Sequence, residues 1–142
     1  EEIVSVVAHE IGHYKKKHII SGTILGIIET GIMLFIFNFF MNDIELFSVF
    51  SAKEISVHCG LVFFSMLYSP ISLLTSIFTT ALSRKNEFEA DEYAKKTYDG
   101  ESLSLALKKL SVDSLTNLHP HPFYVFIHYS HPPLLERLKA LS

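Results

Sequence analysis

Residues 19–41, IISGTILGIIETGIMLFIFNFFM, carry a single charge, Glu29, in a run slightly longer than the ~20 residues that cross a bilayer core. This is a transmembrane helix. Residues 57–82, VHCGLVFFSMLYSPISLLTSIFTTAL, contain no Lys, Arg, Asp or Glu, and Pro70 within them reads as a kink rather than an end. They form the second span. Residues 42–56, with Asp43, Glu45, Lys53 and Glu54, are too few to be anything but a hairpin connection, so the spans run antiparallel and both chain ends share one membrane face. A soluble chain of 142 residues could not cover two helices that are apolar all round. Glu29 is costly to expose to lipid and is expected to face protein or an aqueous interior.

All of the 12 Lys and Arg except Lys53 lie on the shared side, beginning with Lys15, Lys16 and Lys17 before the first span and Arg84 and Lys85 after the second. The positive-inside rule makes that side cytoplasmic. The rest of the composition excludes several classes. Charged residues are 19% of the chain against roughly 25% in a soluble domain, and hydrophobic residues 49%, so disorder is excluded. A net charge of −3 and no basic patch argue against a nucleic-acid partner. Cys59 is the only cysteine, which leaves no disulfide scaffold and no CxxC zinc module, so any metal must be held by His and carboxylates. The chain opens at Glu1 in the middle of an amphipathic pattern, with no signal peptide legible, and reads as a C-terminal fragment.

The chemistry starts at His9-Glu10-Ile11-Gly12-His13, an HExxH within an expected helix over 1–18. Residues four apart share one helix face with Cβ atoms roughly 6 Å apart, so His9 and His13 can grip one zinc ion. Glu10, about 100° round, can reach a water on the same ion and act as general base. Gly12 lets another backbone or a substrate come close. Chance alone yields about 0.03 such motifs in a chain of this composition, so a second motif is needed.

Glu87-Phe88-Glu89-Ala90-Asp91 supplies it, within the helical SRKNEFEADEYAKKTY. Zinc proteases commonly complete the ligand set with a carboxylate and leave a fourth position to water, and Glu87 is the candidate third ligand. Asp91, one turn on, can accept the free N–H of a ligating histidine. Two crossings separate His13 from Glu87, which returns both motifs to one membrane face. Glu89 and Glu92 read as solvated, with Asp91–Lys95 and Glu92–Lys96 as the competing i,i+4 pairs. The expected fold is all-α: two transmembrane helices plus a helical zinc-binding region on one face, with 83–142 as the zinc and substrate part. Residues 101–118 are expected to cover the zinc helices.

Near the end, His131-Pro132-Pro133 before LLERLKAL starts a last amphipathic helix. From spacing alone His131 is a cap and Arg137 a surface or salt-bridge residue; a second role would be to stabilise an oxyanion. His119 and His121 lie in a turn-prone loop, with a second metal site as the lesser alternative.

AHEIGH with its lysine-rich turn, the two spans, SRKNEFEADEYAKK and YSHPPLLERLKAL together resemble the C-terminal part of the type I CAAX prenyl endopeptidases, membrane zinc metalloproteases of the endoplasmic reticulum. The likeness runs over the whole chain. It implies Zn2+ on His9, His13 and Glu87, with Glu10 as base and Asp91 supporting a ligand. It also implies that His131 and Arg137 line the cleft and assist catalysis, and that the substrate is a prenylated CaaX polypeptide cut near its C-terminus. Members have seven membrane helices, and these two match the last, so the missing N-terminal membrane helices are implied partners beside the lipid bilayer. Two alternatives stand beside this one: a bacterial heat-shock-type membrane zinc protease for misfolded proteins, and a non-catalytic membrane interaction fragment.

Overall fold

The structure, a computed structural model, describes residues 1–142. Its elements are seven helices: α1 (Glu2–Lys15), α2 (His18–Met41), α3 (Ile44–Val49), α4 (Val57–Thr97), α5 (Gly100–Asp113), α6 (Pro122–His128) and α7 (Leu134–Leu141). They fall into two compact units, Ser21–Leu74 and the pair of segments Glu1–Ile20 and Thr75–Ser142.

The first of these units is the apolar hairpin. Both long helices are long and apolar enough to cross a membrane, with mean hydropathies of 2.0 and 1.8 in their most apolar stretches, none of which is buried. Ile27, Phe35 and Phe39 on α2 and Met66 and Leu74 on α4 are all more than half exposed. Such a surface is unfavourable in water at roughly 25 cal/mol per Å² and comfortable in hydrocarbon. The connection between the spans is more than a loop. Asp43 accepts hydrogen bonds from the Glu45 and Leu46 amides at 2.9 and 3.4 Å and starts α3. That helix drops Phe47, fully buried, between Phe40 of α2 and Phe63 of α4, whose ring centroids lie 5.3 and 5.9 Å away. Glu29 is half-buried.

The second unit is built on α1, the C-terminal part of α4, and α5 to α7. α4 does not stop at 82. It runs unbroken through Pro70 and on to Thr97, because no Gly or Pro interrupts residues 71–97. Asp99 caps α5, accepting from the Glu101 and Ser102 amides at 3.2 and 2.8 Å. α5 packs on α1 and on α7. The core between them is Ala94, Leu103 and Leu141, with Val6, Ala8 and Leu107 against it. The covering role expected of 101–118 is thus carried by α5.

Candidate metal centre

Gly12 sets how near α1 comes to α4. A Cβ there would stand 3.1 Å from Ala90 Cα and 3.2 Å from Ala90 O, both backbone atoms that cannot swing aside. The close approach that a glycine permits is therefore made by another helix, not by a substrate. It brings the His9–His13 face of α1 against Glu87 and Asp91, one turn apart on α4.

The result is one cluster of ligand atoms from His9, His13 and Glu87, all within 4.8 Å of one another. His9 Nε2 is 3.2 Å from His13 Nε2, Glu87 Oε2 is 3.6 Å from His9 Nε2, and Glu87 Oε1 is 3.4 Å from His13 Nε2. Ligand atoms at about 2.1 Å from a tetrahedral zinc lie roughly 3.4 Å apart, so these residues fit such an ion without rearrangement. His9 and Glu87 are buried, and His13 is half-buried. Burial holds the His13 imidazole below its ordinary range; Glu87 pushes the other way, and His9 and His18 add to the lowering. A neutral ring keeps the lone pair that a metal needs.

Asp91, 1% exposed, stands behind His9 with Oδ1 2.9 Å from Nδ1. The ring N–H points off that oxygen, so this buried nitrogen is paired by distance and not by direction. Glu10 is exposed and lines the same cavity, of about 430 Å³, as His9, His13, Glu87, His131 and Arg137. Val6, Leu103, Leu107 and Leu110 make its apolar wall.

His131 does not cap α7; Pro133 occupies that position and no side chain bonds the first amides. Instead the Nδ1 of His131 is 3.0 Å from Ser130 Oγ, and its Nε2 is 3.5 Å from Glu87 Oε1. Pro132 restricts the backbone of His131 to extended conformations. Arg137 is buried rather than on the surface, and it bonds Asp91 with Nε and Nη2 while Nη1 lies 3.2 Å from Glu87 Oε2. His121 caps α6 by accepting from the Phe123 amide at 3.2 Å, and neither it nor His119 belongs to a metal-sized cluster.

Three residues of this region escape a reading by spacing. His18 is buried, with Nδ1 3.0 Å from His13 Nδ1 and Nε2 3.4 Å from Glu89 Oε2. Five residues along an unbroken helix would set His18 about 140° away from His13. Lys17, at φ 59, breaks the helix and brings the two rings together. Glu89 is accordingly partnered rather than simply solvated, whereas Glu92 pairs on the surface with Lys96. Arg84 donates through Nη1 to the carbonyls of Val125 and Tyr129, holding the end of α6 beside the His131 segment. Of these, only His18, the first histidine after HExxH, carries a signal in the sequence.

A model of peptidase family M48 matches residues 1–142. The chain is 37% identical over its whole length to a CAAX prenyl protease 1 homolog of Oryza sativa subsp. japonica, covering 33% of that protein. It is 36% identical to the Homo sapiens homolog, covering 30% of it, again over its full length. Among solved structures it resembles the crystal structure of S. mikatae Ste24p, with a TM-score of 0.86 and 30% identity over 99% of this chain and 35% of the other. The chain thus spans about a third of the length of these relatives.

Proposed function

This chain belongs to peptidase family M48 and is an integral membrane protein, and on that premise we propose that it is a zinc-dependent endopeptidase cutting near the C-terminus of prenylated CaaX polypeptides. The observation that carries the reading is the trio of ligand atoms at tetrahedral spacing beside Glu10 in one cavity. His9, His13 and Glu87 would hold the ion, three protein ligands leaving one position open. Zinc there supplies Lewis acidity towards a water and a peptide carbonyl.

The chain's own residues supply the remaining steps. Both histidines offer Nε2, so their protons sit on Nδ1, and Asp91 accepts the one on His9. Glu10 takes a proton from the attacking water and returns it to the leaving amine. His131 Nε2 can swing from Glu87 to donate to the developing oxyanion. Arg137 lines the cleft and fixes both carboxylates, with Nε and Nη2 occupied by Asp91 and Nη1 turned to Glu87. The apolar wall of Val6, Leu103, Leu107 and Leu110 suits an aliphatic side chain of the substrate.

The names of the relatives, CAAX prenyl protease 1, support the substrate class. The lysine and arginine distribution supports a site on the cytoplasmic side, and the endoplasmic reticulum membrane is what the family resemblance implies. The upstream membrane helices of such a protein would wall the rest of the groove.

The test is hydrolysis of a farnesylated CaaX peptide by the purified metal-loaded protein, with casein in parallel and a chelator added to half of each. Cleavage of the prenylated peptide that stops with chelation is the expected result. Preference for casein would replace the substrate class with misfolded proteins. No cleavage of either by zinc-loaded protein would overturn the enzymatic reading.

A further inference from the structure

We propose that His18 and Glu89 form a positioning pair that selects the metal-binding tautomer of His13; this rests on the reading of His13 as a ligand. The two ligating rings are supported differently. His9 meets a carboxylate directly, with Asp91 Oδ1 2.9 Å from its Nδ1. His13 meets another imidazole, His18 Nδ1 at 3.0 Å, and the carboxylate comes one ring later, with Glu89 Oε2 3.4 Å from His18 Nε2. Lys85 Nζ, 3.6 Å from Glu89 Oε1, steadies the outer end.

Proton counting makes the arrangement directional. If His13 binds through Nε2, its proton is on Nδ1 and is donated to His18 Nδ1. His18 must then be protonated on Nε2, which faces Glu89. Every nitrogen has one compatible role. The opposite arrangement, with His18 Nδ1 donating, would leave a proton on His13 Nε2, 3.2 Å from His9 Nε2, where the metal has to sit. A negative Glu89 favours the first arrangement, because it accepts from His18 Nε2 and cannot donate. His18 is 9% exposed, so water does not readily replace it. Lys17 at φ 59 is what turns the chain so that His18 reaches His13 at all.

The experiment measures zinc affinity by chelator competition on the protein in detergent, with helicity followed by circular dichroism. His18→Phe keeps a ring but no acceptor, and its affinity is expected to fall about 10- to 100-fold. His18→Asn places an amide oxygen close to the position of Nδ1 and is expected to stay within about threefold of the parent, on the geometry of its acceptor. Glu89→Gln retains an acceptor without the charge and is expected to lose less than His18→Phe. A packing role would give the reverse order, Phe tolerated and Asn not, and that order overturns the pair. Should His18→Phe fail to fold, the isosteric Glu89→Gln decides: unchanged affinity there overturns the proposal. His13→Ala separates the two levels. Zinc retained at parental affinity in His13→Ala defeats the ligand reading and this inference together, whereas zinc lost there but unaffected in folded His18→Phe defeats this inference alone.

Discussion

Arg137 grips Asp91 through two parallel hydrogen bonds, Nε to Oδ2 at 2.8 Å and Nη2 to Oδ1 at 2.6 Å, between residues 46 positions apart. Burial alone would push the Asp91 carboxyl up. The hydrogen bonds from Arg137, the adjacent His9 ring and the guanidinium charge outweigh burial and hold it below the usual carboxylate range. Asp91 is therefore an acceptor only, which is the state that a metal-binding His9 requires of its partner. α7 in this way braces the Glu87–Asp91 side of α4 from a point far along the chain.

Removing that brace should be costly. Arg137→Met leaves the Asp91 charge buried without its partner, and breaking a buried pair costs about 3–5 kcal/mol. Thermal unfolding in detergent should show a large drop in midpoint, while Arg137→Lys, which keeps the charge without the two-pronged contact, should fall between. A midpoint unchanged in Arg137→Met would mean that the contact is not maintained in solution.

Glu10 is exposed in the cavity and is not one of the three clustered ligands. Glu10→Gln should therefore retain zinc at parental stoichiometry and lose about 10²- to 10⁴-fold in peptide hydrolysis, the range for removing a general acid–base group. Metal analysis and a prenylated-peptide assay on the same preparation check both halves. Near-parental hydrolysis would remove Glu10 as base.

Gly12→Ala should weaken zinc binding more than it weakens the fold. Alanine gains about 1 kcal/mol of helix propensity, and the clash with the Ala90 backbone costs about 1–3 kcal/mol, so the net loss of stability is small. The clash is relieved only by moving α1 off α4, which separates His9 and His13 from Glu87. Chelator competition beside thermal unfolding distinguishes the two effects.

Asp99 offers a pH dependence remote from the metal cluster. Hydrogen bonds from Ser102, side chain and amide, and from the Glu101 amide hold its carboxyl below the ordinary value. Because the folded pKa is the lower one, the cap contributes fully above the unfolded value near 4, and that contribution is lost as pH falls through the folded pKa. Amide exchange in the first turn of α5 should quicken in that window. Asn is an equally good cap that does not titrate, so Asp99→Asn should abolish the dependence.

Arg84 ties the Val125 and Tyr129 carbonyls just ahead of His131. Arg84→Met should lower peptide hydrolysis without changing zinc affinity. In a His131→Ala background the same substitution should do much less, because both act through the placement of one imidazole. Additive effects would show that Arg84 works elsewhere.

Spacing along the chain made much of this legible. Residues four apart in HExxH share a face because a helix turns 100° per residue, and Glu87 and Asp91 follow the same rule on α4. The two lipid-crossing runs are legible because bilayer thickness converts directly into a count of apolar residues. These are local properties, and the sequence by itself determined them. Which partners the side chains take is another matter. That Arg137 chooses Asp91 rather than solvent, that His131 turns to Glu87 rather than capping α7, and that Glu89 meets His18 all depend on distances across 46, 44 and 71 positions. Only the tertiary structure decided them, through the backbone contact at Gly12 and the left-handed turn at Lys17, because a helix period says which residues share a face and nothing about what is brought against that face.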